Sequence, residues 1–243
     1  MVSTQAALVL GASGSVGNAL VKELILNGAF RPIVTLVRRS QPHQLAMARD
    51  AGVELREVLV AAMEPVGLQA ATAEAIRSLE GEVVGLSVLG IGAGTAKVTI
   101  DEHRAVDVQL NAAFARGLKG TGRVKHLAFM SAVGADPTAA TTGSGAAGMA
   151  RYARVKGEAE EAVKAAGPAI VSIFRPAMIL GSQHTPWLLE KVLPVFAFVT
   201  PGKFKSITVE QIAKAMVATS LDVSAKSGLY HYPEMIALGQ GAA

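Results

Sequence analysis

Near the start of the chain, a glycine-rich turn separates a short apolar run from a helical pattern. Gly11 permits the tight turn, Gly14 lets the backbone approach a ligand closely, and Gly17 lets the helix pack on the preceding strand. The first N–H groups of such a helix, near Ser15 and Val16, lack intrahelical partners and attract an anion. Because the motif has its required strand–turn–helix context, it predicts a dinucleotide site rather than a plain turn. The residues predicted to line this part of the site are Gly11, Ser13, Gly14, Ser15 and Val16.

Strand and helix patterns alternate along most of the chain. The predicted strands are Ala7–Leu10, Ile33–Val37, Val53–Val60, Val83–Leu89, Val124–Met130 and Ile170–Phe174. The predicted helices are Val16–Asn27, Gln44–Ala51, Leu68–Leu79, Glu102–Leu118 and Ala150–Ala166. Continuous apolar runs of strand length are typical of parallel strands buried on both faces, and the alternation implies right-handed crossovers. The sequence therefore predicts an α/β fold: a doubly wound, mainly parallel Rossmann sheet with helices on both faces.

We expect a single domain over residues 1–243, with a cofactor-binding core at 1–175 and small substrate-capping segments at 176–243. The pattern after Pro176 is less regular. It predicts helices near Trp187–Phe196 and at Val209–Leu221, and a short strand at Leu229–Tyr232. Residues 136–148 are rich in Ala, Thr, Gly and Ser, which predicts a mobile loop or a linker without function.

Composition narrows the functional classes. With 51% hydrophobic and 17% charged residues, the chain can bury a large core. It has no cysteine, and its five histidines show no metal-ligand spacing, so we expect no metal site. The net charge of +4 comes without a basic stripe, which argues against nucleic acid as a partner. No secretory signal is visible and no apolar run reaches the ~20 residues of a membrane span, so we expect a cytoplasmic protein without a membrane partner.

The residues after the second predicted strand bear on the choice of cofactor. An acidic side chain would suit a free ribose 2′-hydroxyl, but Arg38, Arg39 and Ser40 stand there instead. A guanidinium can donate two parallel hydrogen bonds to a phosphate. We therefore expect NADP(H) rather than NAD, the alternative being that both arginines are simply solvated.

Three residues form a candidate catalytic set. Tyr152 and Lys156 are four apart in a predicted helix, so both side chains lie on one face. A lysine ammonium favours the phenolate and lowers the pKa of a tyrosine from about 10, which suits the phenol to general acid and base work. Ser131 ends the fifth predicted strand and could hold a substrate oxygen. The plain alternative is a packed tyrosine beside a surface lysine, since Y-x-x-x-K often occurs by chance.

Small residues also follow the fourth predicted strand. Leu89 and Gly90 begin a glycine-rich stretch that could run along the ribose and nicotinamide of a cofactor. A glycine-rich loop without function explains this stretch about as well. Arg175 ends the sixth strand before Pro176, and we expect it to pair with an acid or with backbone carbonyls rather than with a ligand.

Several of these motifs together resemble the atypical members of the short-chain dehydrogenase/reductase family, and within it the group similar to the HIV Tat-interacting oxidoreductase. The resemblance runs through nearly the whole chain and rests on Leu10–Gly14, Leu36–Arg39, Leu89–Gly90, Val106–Asp107, Ser131–Asp136, Tyr152–Glu160 and Phe174–Pro176. It implies a Rossmann core that binds NADP(H), with Ser131, Tyr152 and Lys156 as the catalytic set. It also implies that Tyr152, Lys156, Pro176, Ala177, Met178 and Ile179 contact the cofactor.

The chain departs from the family pattern at two points. Residues Val58–Met63 contain no acid, although relatives often carry Asp there for the adenine amino group. Where many extended relatives place a proton-relay Asn, this chain has Asp107, with Asn111 one turn later, and the sequence assigns relay chemistry to neither.

The sequence thus supports an NADP(H)-dependent oxidoreductase that reduces a small, largely apolar carbonyl or activated double bond, with Tyr152 as proton donor. The alternative is a catalytically silent NADP(H)-binding regulator or redox sensor that acts through a protein partner. Related enzymes commonly dimerise through helices equivalent to 102–118 and 150–166, so a homodimer is an open option.

Overall fold

The predicted parallel sheet is confirmed in the computed structural model, which describes residues 5–141, 147–181 and 202–241. Its strands in chain order are β1 (Gln5–Leu10), β2 (Phe30–Val37), β3 (Leu55–Leu59), β4 (Val83–Ser87), β5 (Val124–Met130), β6 (Ile170–Phe174), β7 (Ile179–Leu180), β8 (Ile207–Thr208) and β9 (Gly228–Tyr230). Among the described residues, seven of them form one sheet in the order β3-β2-β1-β4-β5-β6-β9, with every neighbouring pair parallel. The strand order reverses between β1 and β4, which is where a doubly wound sheet opens a ligand crevice.

Helices cover both faces of this sheet. They are α1 (Ser15–Asn27), α2 (Pro42–Asp50), α3 (Pro65–Arg77), α4 (Ile100–Arg104), α5 (Asn111–Gly120), α6 (Ala147–Ala166), α7 (Val209–Leu221) and α8 (Tyr232–Gln240). On one face α1 packs against α7, and on the other α3 packs against α5 and α5 against α6. Each layer buries its own apolar cluster against the strands. No helix among the described residues combines the length and the apolarity that a membrane crossing requires.

The predicted helix 102–118 is present but is not a regular α-helix. It begins earlier, at Ile100, where Thr99 forms a capping box with Glu102. Between α4 and α5 the chain adopts a π-helix, Ala105–Leu110, whose wider turn inserts an extra residue. Asp107 lies within this π-helix and is fully buried.

Elements after Phe174 complete the core. β9 extends the main sheet beside β6, and α7 buries Ile212, Ala213 and Met216 in the layer that also contains α1. The short strands β7 and β8 form a separate parallel pair. The division of the domain at residue 175 stays a prediction, and the helix predicted near Trp187–Phe196 lies outside the described residues.

Three other local predictions need correction. The predicted strand Leu229–Tyr232 ends at Tyr230, and α8 follows at once, with a capping box between His231 and Glu234. The stretch Gly92–Lys97 forms a 3₁₀ helix instead of an irregular loop. Helix α6 begins at Ala147, inside the segment predicted as a loop.

The packing of β4 against α5 yields a test of the core. A Cβ added at Gly85 would collide with Leu118 Cδ1 and lie 3.1 Å from its Cδ2. We expect Gly85→Ala to lower the free energy of unfolding by about 1–3 kcal/mol, and Leu118→Ala to lower it by about 2–5 kcal/mol. The double variant should lose clearly less free energy of unfolding than the two single variants together, because the new methyl group at position 85 occupies part of the cavity left by Leu118. Urea unfolding measures all three, and strict additivity would contradict this packing.

Candidate active site

In the turn after β1, nearby backbone atoms leave room only for glycine at two positions. Gly11 has φ +90°, and a Cβ there would lie 2.6 Å from Leu89 N and 2.8 Å from Val88 C. A Cβ at Gly17 would overlap Gly11 O and lie 2.7 Å from Ala12 C. Only glycine therefore lets the end of β1 approach the loop after β4 while α1 packs under the turn.

Gly14 differs from its two neighbours in the motif. The nearest atom to a Cβ built on it is Gly11 O at 3.6 Å, which is an ordinary contact. Gly14 is the N-cap residue of α1 in an extended conformation that any residue adopts. The fold does not need glycine here, so the open surface at Gly14 is available to a ligand at the helix N-terminus.

A network of amide side chains holds the turn from behind. Gln44 is fully buried, and its Nε2 donates to Ala12 O (2.9 Å) and to Asn18 Oδ1 (2.8 Å). Asn18 Nδ2 donates to Gly14 O at 3.0 Å. These bonds hold the carbonyl groups of Ala12 and Gly14 in place, and sequence reasoning did not find them because no motif marks Gln44 or Asn18.

Arg38 and Arg39 are exposed immediately after β2, as predicted. Neither guanidinium has a hydrogen-bonding or ionic partner within the part of the chain that the structure describes. The nearby carboxylate of Glu57 is already engaged, since it accepts from Ser40 Oγ (2.5 Å) and from Gln41 N (2.6 Å). Both cations therefore remain available at the end of β2.

Ser131 lies at the end of β5 and is 2% exposed. Its Oγ is buried without a hydrogen-bond partner among the described residues. Ser131 N donates to Phe174 O (2.7 Å), and Val133 N donates to Pro176 O (2.8 Å). These two bonds hold the predicted cofactor segment that begins at Pro176 beside the predicted catalytic serine.

The rest of that segment runs away from the sheet. Ala177 and Ile179 are half-buried, whereas Met178 is 42% exposed. Met178 O accepts from Ile207 N at 3.0 Å, which fixes the segment against β8. Arg175, just before it, donates two hydrogen bonds to the Glu160 carboxylate (2.8 and 2.6 Å) and so pairs with an acid, as expected.

Tyr152 and Lys156 lie on one face of α6, as the sequence predicts. Lys156 Nζ is 5.7 Å from the centroid of the Tyr152 ring. The imidazole of His103, on α4, stacks on the same ring at a centroid distance of 5.8 Å. His103 is fully buried, and neither ring nitrogen has a hydrogen-bond partner among the described residues.

Lys156 forms a buried ion pair with Asp107. Lys156 Nζ and Asp107 Oδ1 are 2.7 Å apart, and the side chains are only 4% and 1% exposed. Burial is the largest single influence on the pKa of Lys156 and lowers it, but the attractions of Asp107, Tyr152 and Glu160 together outweigh burial and raise the pKa above its ordinary value. Burial likewise is the largest single influence on the pKa of Asp107 and raises it, but the Lys156 ammonium, with the His103 ring and the Ile91 amide, more than reverses this and holds the pKa well below its usual range. Both groups are therefore charged across the neutral range.

The loop after β4 packs directly on this ion pair. A Cβ at Gly90 would lie 3.0 Å from both Asp107 Oδ1 and Lys156 Nζ. Ile91 N donates to Asp107 Oδ2 (3.0 Å), and Leu89 O accepts from Asn111 Nδ2 (3.3 Å). The predicted cofactor residues Leu89 and Gly90 are thus fixed beside the predicted catalytic lysine.

Two members of this cluster have roles that sequence reasoning missed. It named Asp107 only as a departure from the family pattern, and it treated His103 as one of several scattered histidines. A signal was present, because residues 103, 107 and 111 follow the spacing of one helical face within the predicted helix 102–118. That spacing does not reveal their partners on α6.

The residues present fit a nicotinamide dinucleotide. Gly14 leaves an open cradle that a Cβ would fill, and Ser131 Oγ is a buried hydroxyl without a partner in the described chain. Both lie at the carboxyl edge of the sheet, where such ligands bind. Within the described segments, no three His, Asp or Glu side chains are grouped closely enough to share a metal ion.

Comparison with known protein families agrees with this geometry. The family model described as NAD(P)H-binding matches residues 11–222, and the chain belongs to this family. The matched region includes the glycine turn and the Tyr152–Lys156 face. A search of curated proteins gave no match.

Solved structures share the fold at low sequence identity. A short-chain dehydrogenase/reductase from Serratia marcescens is 16% identical, with a TM-score of 0.67 over 95% of this chain and 98% of that one. The protein BdcA, solved in complex with NADPH, is 15% identical, with a TM-score of 0.62 over 94% of this chain and 92% of its own. An ADP-L-glycero-D-manno-heptose-6-epimerase from Helicobacter pylori is 14% identical, with a TM-score of 0.62 over 100% of this chain and 84% of its own. These likenesses establish a Rossmann-like fold.

Gly14 and Gly17 form a matched pair for testing the turn. We expect Gly17→Ala to lower the free energy of unfolding by about 1–3 kcal/mol, because its methyl group has no room against the backbone of the turn. Gly14→Ala should leave the melting temperature within about 2 °C but weaken NADPH binding by about tenfold, since its methyl group projects into the cradle. Calorimetric unfolding and NADPH fluorescence titration measure both. Unchanged NADPH affinity in Gly14→Ala would exclude a diphosphate at this turn.

Proposed function

We propose that the chain is an NADP(H)-dependent oxidoreductase that reduces a small, largely apolar carbonyl compound or activated double bond, with Tyr152 as proton donor. The observation that carries the proposal is the placement of the buried Lys156 ammonium between the Tyr152 ring and Gly90. The narrower resemblance to the HIV Tat-interacting oxidoreductase group is part of the same proposal. Membership of the NAD(P)H-binding family supports the cofactor class.

The proposed chemistry divides between the cofactor and three side chains. A bound reduced nicotinamide supplies the hydride that adds to the substrate carbon. Ser131 Oγ, which is buried without a partner in the described chain, donates a hydrogen bond to the substrate oxygen. The Tyr152 hydroxyl transfers its proton to that oxygen, which becomes an alcohol and leaves a phenolate on Tyr152. The Lys156 ammonium lies close enough to the ring to stabilise the developing negative charge.

Preference for a 2′-phosphate is proposed from the two arginines after β2. Both are exposed and lack partners among the described residues, and residues 38–41, directly after β2, include no acid. Two guanidinium groups at this point favour the additional negative charge of NADP(H). The NADPH complex of the structural neighbour BdcA is consistent with this choice.

We expect Arg38→Ala and Arg39→Ala each to weaken NADPH binding by about 10- to 100-fold, since a hydrogen bond to a charged group contributes about 1.5–3 kcal/mol. Binding of NADH should change by less than about twofold. Arg31→Ala, at the opposite end of β2, is the matched control and should leave both affinities unchanged. Isothermal titration measures each Kd. Equal loss of NADH and NADPH affinity would contradict 2′-phosphate recognition.

We expect Tyr152→Phe to lower kcat for carbonyl reduction by about 10²- to 10⁴-fold, because the proton donor is removed. Affinity for NADPH should stay within about threefold, because the ring and its stacking on His103 are retained. Tyr232→Phe, on α8, is the control and should reduce substrates at the unaltered rate. The assay follows NADPH absorbance with a panel of apolar aldehydes and ketones. Equal turnover by Tyr152→Phe and the unaltered chain would remove Tyr152 as the donor, and NADPH binding without any turnover would favour the sensor alternative.

A further inference from the structure

The π-helix between α4 and α5 places a carboxylate inside the proposed catalytic centre. Asp107 is fully buried, and three groups from three different elements surround it. Lys156 Nζ is 2.7 Å from its Oδ1, Ile91 N donates to its Oδ2 at 3.0 Å, and His103 Nε2 lies 3.6 Å from Oδ1. The last distance is too long for a hydrogen bond, so Lys156 and the Ile91 amide are the partners of the carboxylate.

Asn111, one turn later, forms hydrogen bonds to groups other than Lys156. Its Oδ1 accepts from Ser87 Oγ (2.5 Å), and its Nδ2 donates to Asp107 O (2.8 Å) and to Leu89 O (3.3 Å). The bonds to Ser87 and Leu89 tie β4 and the loop after it to the start of α5, and the bond to Asp107 O joins Asn111 to the π-helix. Asn111 therefore holds the backbone around Asp107, and Asp107 alone of the two faces the catalytic lysine.

The ion pair with Asp107 changes how strongly the Lys156 ammonium can stabilise a Tyr152 phenolate. An isolated ammonium 5.7 Å from the ring of the half-buried Tyr152 would favour loss of the phenolic proton. With a carboxylate 2.7 Å from that ammonium, the phenol faces a dipole, whose field falls off faster than that of a single charge. The partner charge therefore weakens the effect of Lys156 on Tyr152.

We propose that Asp107 is a positioning residue that fixes the Lys156 ammonium against Gly90 and offsets its charge, so that Tyr152 retains its phenolic proton for donation. The arrangement favours the reducing direction, in which a protonated tyrosine is needed, over oxidation, which needs the phenolate at the start. This inference rests on the proposed role of Tyr152 as proton donor.

The other charged groups near the ion pair have hydrogen-bonding or ionic partners of their own. Of these groups, only Glu158 is substituted in the experiment below, as its control. Glu160 on α6 pairs with Arg175, and Glu158 on α6 pairs with Arg104 and Arg154. Arg151 on α6 donates to Thr95 O, and Asp136 after β5 accepts from Thr138. His103 of α4, which stacks on Tyr152, is not substituted in any of the variants compared.

The experiment titrates Tyr152 directly in the protein without cofactor. The ultraviolet absorbance of phenolate is followed from pH 7 to 12, and the curve of the matching Tyr152→Phe chain is subtracted to remove Tyr230 and Tyr232. Four chains are compared: unaltered, Asp107→Asn, Asp107→Asn/Lys156→Met, and Glu158→Gln. The last is the control, because it also converts a carboxylate on an ion pair to an amide, but away from Lys156. Circular dichroism confirms folding at each pH.

We expect the Asp107→Asn midpoint about one pH unit below that of the unaltered chain, because the Tyr152 phenolate then replaces Asp107 as a counter-ion of the buried Lys156 ammonium, and each charge stabilises the other. The double variant removes the pair as a unit, so its midpoint should return to within about 0.3 unit of the unaltered chain. Glu158→Gln should not shift. Coincident titration curves for Asp107→Asn and the unaltered chain would overturn the proposal. A double-variant midpoint that lies one pH unit or more above the midpoint of the unaltered chain would also overturn it. If Asp107→Asn does not fold, the double variant, which leaves no unpaired charge, still decides between these outcomes.

Turnover provides a separate readout. The pH at which carbonyl reduction falls on the alkaline side should move down by about one unit in Asp107→Asn, whereas a purely structural role would lower the rate equally at every pH. Failure of the chain to reduce any carbonyl compound or activated double bond would refute the proposed function but leave the absorbance result standing. The two failures are therefore distinguishable.

Discussion

The ion pair between Lys156 and Asp107 joins the parts of the molecule on which the candidate site depends. Lys156 comes from α6, Asp107 from the π-helix before α5, and the loop after β4 covers both through Gly90 and the Ile91 amide. Two opposite charges can be buried here only because each is the other's partner, since an unpaired charge in this position would be strongly unfavourable. The pair therefore fixes the relative positions of α6, α5 and the sheet edge, and with them the orientation of the Tyr152 ring.

A second set of constraints acts at the β1 turn, where the backbone rather than side chains decides the geometry. Gly11 and Gly17 are required by contacts within the protein, whereas Gly14 is open on the side of the crevice. The turn thus combines a rigid base with a free surface, which suits a site that binds a diphosphate through backbone amides. The buried amide of Gln44 adds stiffness to the same turn from α2. In the proposed complex, recognition of the two ends of the cofactor is consequently divided between this turn and the Tyr152–Lys156 face.

The sequence predicted those features that local patterns encode. Continuous apolar runs identified the six strands from β1 to β6, and the glycine spacing identified the turn between β1 and α1. It did not predict the π-helix, because no residue pattern in helix 102–118 marks the position of a single inserted residue. The contacts of His103 and Asp107 with α6 were likewise beyond sequence reasoning, since they join residues about fifty positions apart. Helix α8 was not predicted, because its N-cap residue is His231 and histidine is not among the residues that usually mark the start of a helix.

The most direct test of the account is a crystal structure of the chain with NADPH. We predict the diphosphate at the Gly11–Val16 turn, the 2′-phosphate beside Arg38 and Arg39, and the nicotinamide ring between Ser131 and Tyr152. Lys156 should contact a ribose hydroxyl while it keeps its ion pair with Asp107. A nicotinamide ring bound away from Tyr152, or a diphosphate that does not touch the turn, would contradict the account.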